Sequence, residues 1–433
     1  MEISNYRPIS LTSVFSKIIE KAIKKRLIDF SELNNIGDMY QFGFQKNSST
    51  KSAVSDLMEY IYKKIDKSQY VAAIFIDLKK AFDTVDHKIL LKKMLNFGIR
   101  DKALKLIESY LQDRLQVSKI NSITSSQIAV SYGVPQGSVL GPLLYLWYIL
   151  DLKNIDELHY FSYADDTVLV FSDSDLKTLE TKMNSGLKLY NSWLVNNKLT
   201  INVEKTAFMC FYNKNKNYYD INIRLNSYTI NKVTNIKYLG LYINQKLNWG
   251  LHIEKLKNKL SPLIGAINRI NSYIPLKSKY LLYYSYIYSN LSYLITIWGS
   301  CTENNLNELQ RFQNRTIKKI FNFPHLTPTL NIYSDTKLLN IEKILKYEKC
   351  KFAYNILNGK SKTNVPIDFQ INVHEHNTRN KNLSRKSIPK TNSGLKTLKF
   401  SVLNEFEKLP LSIKKSSNIK IFSKKCREYF DSI

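Results

Sequence analysis

The run Tyr160-Phe161-Ser162-Tyr163-Ala164-Asp165-Asp166-Thr167-Val168-Leu169-Val170-Phe171 sets two apolar stretches around adjacent acids. This pattern predicts a β-hairpin with Asp165 and Asp166 at its tip. Neighbouring carboxylates repel one another, so folding alone gives little reason to put them on a tight turn. A lone Asp-Asp pair can still serve as a solvated turn. A divalent cation supplies a stronger reason, because hard ions such as Mg²⁺ take carboxylate oxygens. The two readings are separated by a third carboxylate. Tyr70-Val71-Ala72-Ala73-Ile74-Phe75-Ile76 is apolar and partly β-branched, and it ends abruptly in Asp77. It lacks period-2 alternation, as expected of a strand buried on both faces. Placed beside the hairpin, it would bring Asp77, Asp165 and Asp166 into one constellation suited to a two-metal, in-line phosphoryl displacement.

The rest of the chain alternates helical and extended patterns. Helical spacing marks residues 10–30, 49–67, 87–97, 101–113, 137–150 and 175–196, with a hairpin at 115–131. Strands are expected near 206–212 and again within 221–243. From Trp249 onward nearly everything reads as helix, including 251–271, 276–298, 303–322 and 336–357. The order predicts an α+β, ferredoxin-like core, with helices on one face of an antiparallel sheet.

The formal charge of +28 over 433 residues points to a polyanionic partner, most simply nucleic acid. Residues 1–250 carry 33 basic and 24 acidic groups; residues 251–433 carry 31 and 12. The C-terminal part is therefore the stronger candidate for gripping a phosphate backbone. One uncharged stretch, Tyr280–Trp298, holds six tyrosines with several Ser, Thr and Asn, too polar for a membrane helix, and no membrane partner is expected. Cys210, Cys301, Cys350 and Cys426 lie far apart without metal-binding spacing, which fits reduced, intracellular thiols.

Only 13 glycines occur in the chain, and three of them fall within Gly133-Val134-Pro135-Gln136-Gly137-Ser138-Val139-Leu140-Gly141-Pro142. Such a cluster implies backbone that approaches something closely, either a turn and cap or a loop packed on a nucleotide and its templating base. With this stretch the chain resembles the reverse transcriptases of non-LTR (LINE-type), Jockey-like retrotransposons. The matching segments run in order: Asn5-Tyr6-Arg7-Pro8-Ile9-Ser10-Leu11, Gln41-Phe42-Gly43-Phe44, and Phe75-Ile76-Asp77-Leu78 with Ala81-Phe82-Asp83. They continue with the glycine cluster, Tyr163-Ala164-Asp165-Asp166, Asn197-Lys198-Leu199 with Asn202 and Lys205-Thr206, and Tyr238-Leu239-Gly240.

The resemblance implies a right-hand polymerase: fingers and palm in residues 1–250, a helical thumb in 251–330, and a basic, mostly helical region in 331–433. It implies RNA-directed DNA polymerisation with two Mg²⁺ ions, an RNA template, a DNA primer or target and dNTPs, in nucleus and cytoplasm. Asp77, Asp165 and Asp166 would be catalytic and hold the metals. Phe82 would lie under the incoming sugar and exclude a 2′-hydroxyl, which disfavours an RNA polymerase. Gln136 and Gly137 would line the base-pair pocket, Lys205 would face the departing pyrophosphate, and Arg7 would contact the nucleotide. Tyr238-Leu239-Gly240 would form the strand that supports the primer. Two departures stand out. Gln45 occupies the place of a triphosphate-binding arginine, so its charge is lost unless Lys46 or Arg7 supplies it. Met1 stands four residues ahead of Asn5, which leads to the expectation of an N-terminally truncated element without the family's endonuclease, the alternative being a catalytically impaired, nucleic-acid-binding remnant.

Overall fold

Strand β1 (Tyr70–Ile76) lies at the centre of the architecture, buried along nearly its whole length. The computed structural model describes residues 9–211, 221–365, 389 and 391–432. On one side β1 pairs antiparallel with β3 (Asp166–Asp173), which in turn pairs antiparallel with β2 (Tyr160–Tyr163). On the other side it pairs antiparallel with β4 (Ala207–Phe211), and the short β5 (Asn231–Lys232) adds a parallel edge. The resulting order is β5-β4-β1-β3-β2.

Both faces of this sheet are covered, where the sequence pattern had suggested one. Val71, Ala73, Phe75, Val168 and Val170 face α2 (Thr50–Asp66) and the C-terminal helices. Ala72, Ile74, Ile76, Leu169 and Phe171 face a second core built from α3 (His87–Asn96), α4 (Asp101–Leu111), α5 (Gly141–Ile149) and α6 (Leu176–Asn196). The unalternating apolar run of β1 is what a strand needs when neither face meets water. α1 (Val14–Leu33) flanks this second core through Leu27.

Short polar side chains fix the N-termini of several helices. Ser13, Ser49 and Asp175 cap α1, α2 and α6 by accepting from the backbone N–H of Ser16, Ser52 and Thr178. After a small hairpin (Asn235–Tyr238 with Leu241–Asn244), α7 (Gly250–Ile270), α8 (Glu303–Phe321), α9 (Ile341–Leu357), α10 (Leu398–Glu407) and α11 (Ile419–Ser432) make the C-terminal part. The helix expected over 276–298 is interrupted. A π-helical turn occupies Tyr283–Tyr288, and the chain breaks at Leu294, whose φ is 55°. The break lets the Trp298 indole N–H donate to the Tyr293 carbonyl while its ring is fully buried. Among the described residues no helix is long and apolar enough to cross a membrane.

The C-terminal part is tied to α2 through buried acids. Asp56 accepts from the Thr363 hydroxyl and from the Asn364 N–H at 2.6 Å, and Glu59 accepts from the Leu398 N–H at 2.7 Å. Burial raises the Asp56 carboxyl from its ordinary 3.8 to about 6, against the lowering effect of those hydrogen bonds. The folded state therefore holds this proton more tightly than the unfolded chain does. Its contribution to stability is full below about pH 4 and is lost as pH rises through about 6. Burial raises the Glu59 carboxyl in the same direction, so thermal melts between pH 4 and 7 should show a steeper fall of stability with pH in the parent than in Asp56→Asn. An identical slope in both would remove Asp56 as its source.

Candidate active site

Antiparallel pairing brings the sequence-predicted acids to one edge of the sheet. The β1–β3 register ends at Ile76 opposite Thr167, so the next pair outward is Asp77 and Asp166. Cross-strand partners share a face, here the face of Phe75 and Val168. Asp166 also closes the β2–β3 hairpin opposite Tyr163, with Ala164 and Asp165 forming a two-residue turn. Ala164 takes φ = 58°, the positive first-turn angle that a tight hairpin needs. Asp165 is half-buried and Asp166 exposed.

Asp77 is held from the side by the segment after α6. The Asn202 side-chain amide donates to Asp77 Oδ2 at 3.0 Å, and the Asn202 N–H donates to the Asp77 carbonyl at 2.8 Å. The Asp77 N–H donates to Thr206 Oγ1 at 3.3 Å. Asn202 and Thr206 are thus supports of the carboxylate, a role their place in the sequence does not announce. Lys205, between them, is exposed, and its backbone N–H caps the Asn202 carbonyl.

An aromatic stack lies beside the acids. Phe82 is half-buried, stacked on Tyr145 with ring centroids 4.4 Å apart and met edge-on by Phe44 at 6.3 Å. Tyr145 is fully buried; burial, then the nearby Asp165 carboxylate, pushes its hydroxyl well above the usual tyrosine range. Tyr238, packed on Phe75 at 5.7 Å, is likewise raised by burial and by Asp166. Neither phenol competes with the carboxylates as an acid near neutrality. Tyr145 escaped the sequence reading because a tyrosine inside the apolar Gly141–Ile149 helix looks like ordinary core.

The glycine cluster approaches the protein's own backbone. A Cβ on Gly133 would lie 2.7 Å from the Asp83 carbonyl, and one on Gly141 would lie 2.8 Å from that of Pro135. Val134 N–H donates to the Phe82 carbonyl at 2.9 Å, and Gln136 Nε2 donates to Asp83 Oδ1 at 2.7 Å. The loop therefore fixes the segment that carries Phe82. Gly137, at φ = 97°, is exposed at the loop's tip, where a Cβ would come within 3.2 Å of the Ser10 carbonyl. Leu239 and Gly240 are the two turn residues of the Asn235–Asn244 hairpin, at φ of 44° and 82°, and do not belong to a strand. Lys46 is ion-paired to Glu32 at 3.2 Å. Arg7 lies outside the described residues.

Among the described residues no group of three or more His, Cys, Asp or Glu is gathered as a ready-made metal cage. Mg²⁺ keeps several waters and binds through one or two carboxylates plus substrate phosphates, so a site for it does not require such a group. The donors at this edge are hard oxygens, and Asp77 is already oriented by Asn202. The residues present therefore fit such an ion.

The chain matches the reverse transcriptase (RNA-dependent DNA polymerase) family over residues 2–243. It is 29% identical over 361 residues to the RNA-directed DNA polymerase ascribed to transposon BS of Drosophila melanogaster, covering 81% of this chain and 40% of that protein. The RNA-directed DNA polymerase from mobile element jockey of Drosophila funebris is 26% identical over 365 residues, 81% of this chain and 39% of that protein. The chain thus spans about two fifths of the length of these relatives. Among solved structures, apo telomerase from Candida Tropicalis is similar at a TM-score of 0.41, with 12% identity over 78% of this chain and 58% of that one. With a family match across more than half of its length, and polymerases of mobile elements among the proteins it is similar to, this chain belongs to the reverse transcriptase family.

Proposed function

We propose that this chain is an RNA-directed DNA polymerase that extends a DNA primer with dNTPs along an RNA template. The observation that carries this reading is the register that sets Asp77 opposite Asp166 beside the Asp165 turn. In this reading Asp77, Asp165 and Asp166 hold two Mg²⁺ ions, which when bound neutralise the charge that develops on the attacking and leaving oxygens. Asn202 keeps the Asp77 carboxylate aimed at the sheet edge. Gln136 and the 133–137 loop hold Asp83 and the Phe82 backbone, which sets the floor under the incoming nucleotide. Lys205 is exposed and within the segment that braces Asp77, where its cation can meet departing pyrophosphate. Residues 1–250 act as fingers and palm, 251–330 as a thumb, and 331–433 as a basic grip on nucleic acid.

A second reading rests on Gln45. The position where an arginine would meet the triphosphate is neutral, and Lys46 beside it is paired to Glu32. In that reading the chain binds nucleic acid but extends primers poorly.

Primer extension on an RNA template with dNTPs and Mg²⁺ separates the two. Under the first reading the parent extends, and Asp165→Asn abolishes extension while RNA affinity stays within twofold, because affinity comes from distributed Lys and Arg. Extension by Asp165→Asn within tenfold of the parent would remove the metal assignment.

Sugar selection gives an independent test. Phe82 is wedged between Tyr145 and Phe44, so its ring cannot swing aside to admit a 2′-hydroxyl. Phe82→Ala should lower the kcat/KM ratio of dGTP to GTP by tenfold or more, about 1.4 kcal/mol per decade. An unchanged ratio in a folded variant would make Phe82 a core residue only.

A further inference from the structure

The loop at 38–45 is fastened on both sides, and the two fastenings meet in one residue. Toward the hairpin, Gln41 grips the turn residue that precedes Asp165. Its Oε1 accepts from the Ala164 N–H at 2.9 Å and the Gly43 N–H at 2.7 Å, and its Nε2 donates to the Ala164 carbonyl at 3.2 Å. Phe42 N–H donates to the Ser162 carbonyl at 2.8 Å, and Ser162 N–H to the Tyr40 carbonyl at 2.9 Å, so the loop runs along β2 as a short extra strand. Gly43 lies so close that any Cβ there would collide with the Ala164 backbone nitrogen. Both polar groups of the Ala164 backbone are thereby held by one side chain.

From the other side comes Lys362, which follows α9 and is more than 300 residues away in sequence. Its ammonium donates to the Asp38 carbonyl at 2.9 Å, the Gln41 carbonyl at 3.2 Å and Gln45 Oε1 at 2.5 Å. Three acceptors match the three protons of an ammonium. The ion also sits 5.6 Å from the centroid of the Phe42 ring. The backbone that carries it is anchored in turn. Lys362 N–H donates to the Asn47 carbonyl at 2.7 Å, and Thr363 and Asn364 are bound to Asp56. The same contact accounts for Gln45, since the neutral amide supplies an acceptor where an arginine would bring a second cation against Lys362.

We propose that Lys362 is a positioning residue for the Asp165 turn, setting it through the 38–45 loop and the Gln41 clamp. The proposal rests on the reading that this turn serves polymerisation. It makes extension depend on a residue of the C-terminal part that touches neither nucleotide nor carboxylate. Lys362 uses all its protons on the loop, so its loss frees three acceptors and releases the side of the loop opposite the turn. Charge alone is not the mechanism, and arginine, with several donors and a long stem, should replace it in part.

The test uses the full chain with Lys362→Met, Lys362→Arg, Gln41→Met and the Lys362→Met/Gln41→Met double variant. Hydrogen–deuterium exchange over residues 160–167 reports the Ala164 N–H without reference to activity. Lys362→Met should speed exchange there about tenfold. It should also lower kcat for dNTP addition at least tenfold, with KM for dNTP and primer–template affinity within threefold, and Lys362→Arg should recover to within threefold. The double variant should be no more than twofold worse than Gln41→Met, because residues acting in series are non-additive. Unchanged exchange at Ala164, or single effects that multiply in the double variant, would overturn the proposal. Should Lys362→Met fail to fold, Lys362→Gln carries the same expectations, and loss of folding in both would show a structural role and overturn it too. The exchange arm also separates this inference from the polymerase reading. If Asp165→Asn extends normally while exchange responds as expected, the reading fails and the coupling stands.

Discussion

The antiparallel register between β1 and β3 decides where every functional group in this protein can be. Side chains alternate along a strand, so a slip of one residue would turn the apolar set of β1 against the wrong neighbours and carry Asp77 away from Asp166. Burial on both faces forbids that slip. Val71, Ala72, Ala73 and Ile74 are all fully buried, and each has a defined place in one of two cores. The cost of moving even one such side chain into water is about 1.5–3 kcal/mol, and a register shift would move several together. Packing therefore holds the carboxylates in a position that their mutual repulsion would not select.

Around that register the protein adds braces that are polar and long in range. Asn202 and Thr206 hold Asp77 from the segment after α6. Gln41 holds Ala164, and Lys362 holds the loop that carries Gln41. α2 contributes Asp56, Glu59 and Asp66 along one side of the helix, and each accepts hydrogen bonds from the C-terminal part: from Asn364, Leu398 and Thr391 in turn. Asp56 and Glu59 are buried, and buried acids are costly unless they are satisfied, so their contacts favour docking of the C-terminal part against α2. Hydrogen bonds thus connect the sheet edge to the C-terminal part through the 38–45 loop and through α2.

Much of the site could be read from local pattern because its parts are local. The apolar run of β1, the Tyr160–Phe171 hairpin and the helical spacing over 49–67 and 175–196 are each local patterns. Phe82 stood out only through the family resemblance, and its stacking on Tyr145 not at all, because a tyrosine in an apolar helix carries no mark of its role. The glycine cluster signalled close approach and left the partner open; the partners are the Asp83 backbone at Gly133, the Pro135 carbonyl at Gly141 and the Ser10 carbonyl at Gly137. The break at Leu294 was hidden by an unbroken helical pattern, and only the burial of Trp298 gives it a reason. Lys362 could not have been found from sequence, since its three acceptors lie 317 to 324 residues away.

The central claim, that the edge formed by Asp77 and the Asp165-Asp166 turn collects divalent cation, can be tested without any polymerisation. With Fe²⁺ in place of Mg²⁺, and ascorbate and peroxide added, hydroxyl radicals formed at a bound ion cut the nearest backbone. The account predicts cuts close to residue 77 and residues 164–166, both competed away by Mg²⁺ and both lost together in Asp77→Asn. Cuts confined to other parts of the chain, or cuts at the turn that persist unchanged in Asp77→Asn, would contradict it.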